Sequence, residues 1–226
     1  MNTDNTFLIV IPIYKGVDLM DVCAPKEIFG WAKKTLDGRD IAVLLVAKNK
    51  KPVITRDGTK LLADRTFLDQ DVQNPSMFWI PGGAPPALNR LIAKPKGRFF
   101  SYMATISGSA EYRCSVCEGA ILFAQTGMLN GHDATTHWAF YTCFDKYNKN
   151  DIRLDPTYPK YVHSGKCITG GGISSGIDQA FYLLGLIAGK EAAQSAALMM
   201  QYAPVVEFPI TIVPATSCPL DKVQMV

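Results

Sequence analysis

Several things are missing from this sequence, and each absence excludes something. No stretch stays apolar for the roughly 20 residues that a membrane-crossing helix needs. The apolar run Phe7–Tyr14 has no basic flank before it and no small-residue cleavage site after it, so it does not read as a signal peptide. Charge of one sign is nowhere concentrated: 23 Lys and Arg face 20 Asp and Glu, for a net charge of +3. The one short basic run, Lys48–Lys51, has the size of a solvated turn. Neither nucleic acid nor membrane is therefore expected as a partner. The six cysteines (Cys23, Cys114, Cys117, Cys143, Cys167 and Cys218) fall at irregular spacing and do not look like a disulfide framework. A reducing cytoplasm is the simplest home. Only three histidines occur (His132, His137 and His163), and none shares metal-ligand spacing with a carboxylate, so neither a metal nor another cofactor is expected.

What is present is globular material, 48% apolar and 19% charged over 226 residues, enough for a single domain spanning 1–226. Phe7–Tyr14 and Ile41–Ala47 are apolar and β-branched, as strands buried on both faces of a parallel sheet are. Helical periodicity is expected from about Ala24 to Leu36, and Pro52–Ala63 reads as a small hairpin turning at Asp57-Gly58. Further strands are expected at Met77–Ile80, at Tyr112–Val116, around Asp133–Thr135, and as a pair near Ile152–Leu154 and Lys166–Thr169. Helices are expected near Ala84–Ala93, Phe99–Ser107, Cys117–Thr126, Trp138–Tyr147, Ser174–Ala188 and Glu191–Tyr202, with 203–226 an extended surface tail. Alternating strands and helices imply a mostly parallel sheet covered on both sides.

The stretch Arg113-Cys-Ser-Val-Cys117-Glu-Gly-Ala-Ile-Leu122 carries the chemistry. A strand ends, a small residue stands two places beyond a cysteine, and an apolar helix begins at once. This is the pattern of a strand–nucleophile–helix elbow, with Cys117 as nucleophile and Ser115 in place of the leading glycine. Such a turn should lift the sulfur out of the sheet, and the helix N-terminus should favour the thiolate. A plain buried cysteine is the alternative. Cys114 and Cys117 also make a Cys-x-x-Cys, but Cys114 falls inside the strand, which argues against a redox pair.

Pro81-Gly82-Gly83 follows a parallel strand at the edge where ligands of open α/β sheets bind. The N–H groups of Gly83 and Glu118 could form an oxyanion hole, and Gly82, Gly83, Glu118 and Thr136 are the candidates to line the substrate site. Asp21, just past the first strand, could serve the thiol as general acid, or could instead cap the helix that follows. Asp18 reads as a solvated loop residue. His137 is the histidine placed at the sheet edge.

Together these pieces resemble the DJ-1/PfpI superfamily over nearly the whole chain. Val116-Cys-Glu-Gly119, Pro81-Gly-Gly83, Ala134-Thr-Thr-His-Trp138 and Thr169-Gly-Gly-Gly-Ile-Ser-Ser-Gly-Ile-Asp178 carry the likeness. Leu19-Met-Asp-Val-Cys-Ala-Pro25 and Gln201-Tyr-Ala-Pro204 resemble its isonitrile hydratase branch. The resemblance implies a flavodoxin-like three-layer α/β/α sandwich, a homodimer, and Cys117 as nucleophile assisted by Asp21 on a small-molecule substrate. It departs at Glu118, where hydratases carry Thr; that carboxylate would disfavour a thiolate, or would itself hold a proton. Hydration of an isonitrile to an N-substituted formamide is the expected reaction. Glyoxalase-like or amidase/peptidase chemistry using His137 or Glu118, and redox sensing through Cys117, are the alternatives.

Overall fold

The computed structural model describes residues 5–147, 151–204 and 210–222. In chain order the elements begin with β1 (Thr6–Pro12), α1 (Leu19–Gly30), β2 (Asp40–Ala47), β3 (Val53–Ile54), β4 (Lys60–Leu61), β5 (Arg65–Thr66) and β6 (Met77–Ile80). Next come α2 (Pro85–Ile92), α3 (Arg98–Ile106), β7 (Tyr112–Ser115), α4 (Gly119–Gln125), β8 (Asp133–Ala134), α5 (Tyr141–Tyr147) and β9 (Arg153–Leu154). β10 (Tyr161–Ser164), β11 (Cys167–Gly170), α6 (Ser175–Ala188) and α7 (Lys190–Met199) follow.

Seven strands form the main sheet in the order β10-β11-β7-β6-β1-β2-β5. All neighbours are parallel except β10, which runs antiparallel to β11. β6 assigns the layers. Successive residues of a strand point to opposite faces. Phe78 meets Phe123 of α4 edge-on at 5.8 Å, whereas Trp79 meets Phe29 of α1 at 6.4 Å. α4 and α1 therefore cover opposite faces, and α6 joins α1, because Gly176 lies against the Trp79 ring. This is the flavodoxin-like α/β sandwich, and the four residues of β6 are all buried in it.

The structure revises several expectations. α1 begins at Leu19 rather than near Ala24, stops at Gly30 and keeps Pro25 in its interior. The chain beyond it leaves the helical path, and Leu36 is exposed. Val53–Ile54 and Lys60–Leu61 do pair as a hairpin. The expected pairing of Ile152–Leu154 with Lys166–Thr169 does not form: β9 pairs with β8, while β11 pairs with β7 and with β10, a strand the sequence reading missed.

The tail from Ala203 lies partly outside the described residues, at 205–209 and 223–226. Its described end is docked, not loose. Cys218 forms a disulfide with Cys143 of α5, Leu220 is buried, and the Leu220 carbonyl accepts a hydrogen bond from Asn89 of α2 at 2.9 Å. Irregular spacing hid this link, which joins residues 75 apart in sequence and removes the cysteine-based reason for expecting a reducing compartment. Among the described residues no helix is long and apolar enough to cross a membrane.

A covalent link across a long loop removes entropy from the unfolded chain. Cys143→Ser in the oxidised protein should lower the unfolding free energy by about 2–4 kcal/mol, read by urea titration. Dithiothreitol should bring the parent protein to the same midpoint.

Candidate active site

Cys117 sits between β7 and α4 in the left-handed backbone region, at φ 55°. Such a conformation is unusual for a non-glycine residue and persists only where the surroundings enforce it. Here they do. The Cys117 N–H donates to the Gly171 carbonyl at 2.8 Å, Val116 N–H donates to Ile80 O at 3.0 Å, and Gly119 N–H closes the turn onto Val116 O at 2.9 Å. A Cβ on Gly119 would run into the Ile80 carbonyl, and one on Gly82 would strike the Glu118 carboxyl and Cys117 Cβ. Those two glycines let the elbow press against the end of β6.

Asp21, in the first turn of α1, is fully buried and accepts a hydrogen bond from Gly82 N–H at 2.8 Å. Its carboxyl therefore reaches across to the β6 loop and does not cap its own helix. Pro25, four residues on, has no N–H to offer the Asp21 carbonyl. The Trp79 indole takes that acceptor at 2.9 Å, which locks the start of α1 onto β6. Asp18, expected to be solvated, is buried, and its Oδ1 lies 2.8 Å from Arg56 Nε, an ion pair no sequence signal announced.

The result is an acidic cluster. Polar atoms of Asp18, Asp21, Cys117 and Glu118 all lie within 4.8 Å of one another. Among the described residues, the buried Asp21 Oδ1 and Glu118 Oε2 have no hydrogen-bond partner. The donor set could also accept a cation, which residue spacing in the sequence had not suggested.

Burial is the first cause of every pKa shift here. It raises Asp21 well above the carboxylate range, with the Glu118 and Asp18 charges adding to it. Glu118 is raised to about 7, held down partly by a hydrogen bond from the Cys117 thiol. Tyr14, whose hydroxyl donates to Pro81 O at 2.9 Å beside the cluster, is raised likewise. Cys117 is raised well above an ordinary thiol, by burial first and then by Glu118 and Asp21.

Two expectations therefore need correction. The elbow is expected to present the sulfur by lifting it out of the sheet, but Cys117 is 0% exposed, which is the buried-cysteine alternative. The resting thiol is not a stabilised thiolate either, because burial and neighbouring acids outweigh any helix-terminus effect.

The oxyanion candidates are placed differently from one another. Gly82 lies at the thiol, but its N–H is committed to Asp21. Gly83 faces the Gly16–Val17 loop. The Glu118 N lies against Gly82, where an added Cβ would come within 2.9 Å of it. Thr136 Oγ1 donates to the Cys117 carbonyl at 2.8 Å, so it holds the elbow from behind. His137 stands outside the cluster: its Nδ1 accepts from Ala139 N–H at 3.2 Å, and its ring packs on Trp138 and Phe140. Burial, and then Arg56, lowers its pKa. Cys114 is a free thiol buried inside β7.

A cavity of about 610 Å³ opens beside Asp18. Leu19, Met20, Ile173, Ile177 and Met200 give it apolar walls, and Arg56 stands at its polar end.

Comparison with known proteins sets this site in context. The model of the DJ-1/PfpI family matches residues 8–185. Isonitrile hydratase of Pseudomonas putida is 32% identical over 196 residues, 87% of this chain and 78% of that protein. The crystal structure of a ThiJ/PfpI family protein from Pseudomonas syringae superposes with a TM-score of 0.76 at 25% identity, covering 90% of this chain and 78% of the other. Oxidised DJ-1 of Toxoplasma gondii gives 0.71 at 19% identity, covering 88% and 100%, a likeness of fold alone.

The buried acids generate two expectations. Alkylation of Cys117, followed by mass spectrometry across pH, should show a midpoint above the free-thiol value of about 8.5. Glu118→Gln should move that midpoint down, and a parent midpoint below the free value would contradict the placement of the carboxyls. The second concerns stability. The folded-state pKa of Glu118 lies above its ordinary 4.5, so the protein loses stability as pH rises from there to about 7. Glu118→Gln removes that loss. It should stabilise the protein by up to about 3 kcal/mol near pH 8, and by almost nothing near pH 4.5, in denaturant titrations.

Proposed function

The chain belongs to the DJ-1/PfpI family, and from that premise we propose that it adds water to an isonitrile, R–N≡C, to give an N-substituted formamide. One observation carries the reading: a buried thiol meets two buried carboxyls, Asp21 and Glu118, each with an oxygen free to exchange a proton. The name of the Pseudomonas putida relative supports the same reaction.

An isonitrile carbon accepts a proton and a nucleophile at the same atom, so the reaction needs an acid and a thiol side by side. Asp21, whose burial favours the protonated carboxyl, delivers the proton to the terminal carbon. Glu118, poised at about 7, takes the proton of the Cys117 thiol as sulfur bonds to that carbon, forming R–N=CH–S–Cys117. Water then adds to the thioimidate carbon, and the Asp21 carboxylate takes one of its protons and passes it to the nitrogen, giving R–NH–CH(OH)–S–Cys117. The C–S bond breaks as the hydroxyl proton returns to Asp21, sulfur recovers its proton from Glu118, and R–NH–CHO leaves. Glu118 is thus a base for the thiol at the position where Thr was expected from the resemblance.

The isocyano group is linear and one atom wide, the shape suited to a sulfur with no exposed surface. It enters from the Asp18 side, and the apolar cavity there takes an alkyl or aryl R group. His137 has no part in these steps.

Incubation with an alkyl isonitrile should yield the matching formamide, followed by chromatography. Cys117→Ser should reduce the rate to background, and Asp21→Asn should lower kcat/KM by roughly 100-fold or more. His137→Ala should leave it nearly unchanged. Lactate from methylglyoxal, lost in His137→Ala, would replace this reading with a glyoxalase-like one.

A further inference from the structure

A second cavity, of about 600 Å³, lies at the carboxyl ends of β1 and β2, separate from the acidic cluster. Its charge is one-sided. Lys15 follows β1, Lys48 and Lys51 follow β2, Arg90 and Lys94 lie on and just after α2, and Arg98 opens α3. No Asp or Glu lines it, and none of the six cationic heads is in an ion pair or side-chain hydrogen bond among the described residues. Lys26, Lys34, Arg39, Arg65 and Arg153, outside the cavity, each face a carboxylate.

Six unneutralised cations around one concavity repel one another, and an anion removes that cost. α3 adds to the field. Its first turn contains no acidic residue and its N-cap, Gly97, supplies no side-chain acceptor, so the positive end of the helix faces this cavity uncompensated. The floor is of another kind. Ile13, Phe67 and Phe99 form it, with Tyr14 and Phe99 edge-to-face at 5.6 Å. Half-buried Leu91 and Val53 extend it. A bare phosphate would use the rim and leave this apolar surface wet. A long nucleic acid would need a continuous basic stripe, whereas these cations ring a hollow.

We propose that this cavity binds a nucleotide-type small molecule, with its phosphates on the Lys/Arg rim and its apolar or aromatic part on the Ile13–Phe67–Phe99 floor. The site does not depend on the reaction proposed for Cys117. Lys48–Lys51, unremarkable as a run, acquires a role because the fold brings it opposite Arg90, Lys94 and Arg98. Tyr14 forms one wall, and its hydroxyl reaches Pro81 beside the acidic cluster, so the two sites stand back to back.

Calorimetric titration of the whole chain tests the proposal, with adenosine triphosphate and coenzyme A as probes and inorganic triphosphate, adenosine and a single-stranded oligonucleotide as comparators. The expected result is saturable one-to-one binding of at least one probe, at least ten-fold tighter than any comparator and weakening as salt rises. Lys48→Glu combined with Arg98→Glu should weaken it by at least about ten-fold, while the Cys117 alkylation rate, which reports a folded active site, stays at the parent value. Failure of both probes to saturate, equal binding of inorganic triphosphate, or tighter binding of the oligonucleotide would each overturn it. So would unchanged probe affinity in the double variant.

Discussion

A left-handed turn at one residue organises this molecule. Cys117 adopts φ 55° because three backbone hydrogen bonds and two close glycine contacts leave the chain no other path from β7 into α4. That path puts Glu118 directly after the thiol and against Gly82. Gly82 in turn holds the Asp21 carboxyl. Strain at the elbow and burial of the acids are thus two parts of one arrangement, in which β6 is the common support.

The electrostatics follow from this packing. A cysteine at an exposed helix start would ionise early, but here the sulfur is sealed among carboxyls and keeps its proton. The protein accepts less stability at neutral pH than a neutral side chain at position 118 would give. Sites that perform chemistry commonly carry such a cost. What the arrangement gains is proximity, since the thiol and three carboxyls stand within one small volume.

Much of this was legible in the residues. Continuous apolar runs gave β1, β2 and β6, and Val116-Cys-Glu-Gly119 located the elbow, because only a glycine two places on can lie against a neighbouring carbonyl. Asp21 was readable as a partner from its place after the first strand. Burial of the sulfur was not readable, because it depends on how Thr136, Gly171 and Gly82 converge from three separate segments. Arg56 could not be paired with Asp18 from sequence, since the hairpin that presents it has no fixed direction until the sheet forms. Pro25 offered a clue that went unused: a proline inside a helix frees a carbonyl four residues back, and a buried tryptophan answered it. The cysteine count could not reveal Cys143–Cys218, because pairing depends on where the tail docks.

The acids of the site are unequal, and the inequality limits how the cluster changes charge. Burial favours the protonated forms of Asp21, Tyr14 and the thiol, while Glu118 is raised to about 7. A change of charge at Glu118 near neutral pH is therefore felt by every neighbour in the cluster, each with a polar atom within 4.8 Å of it.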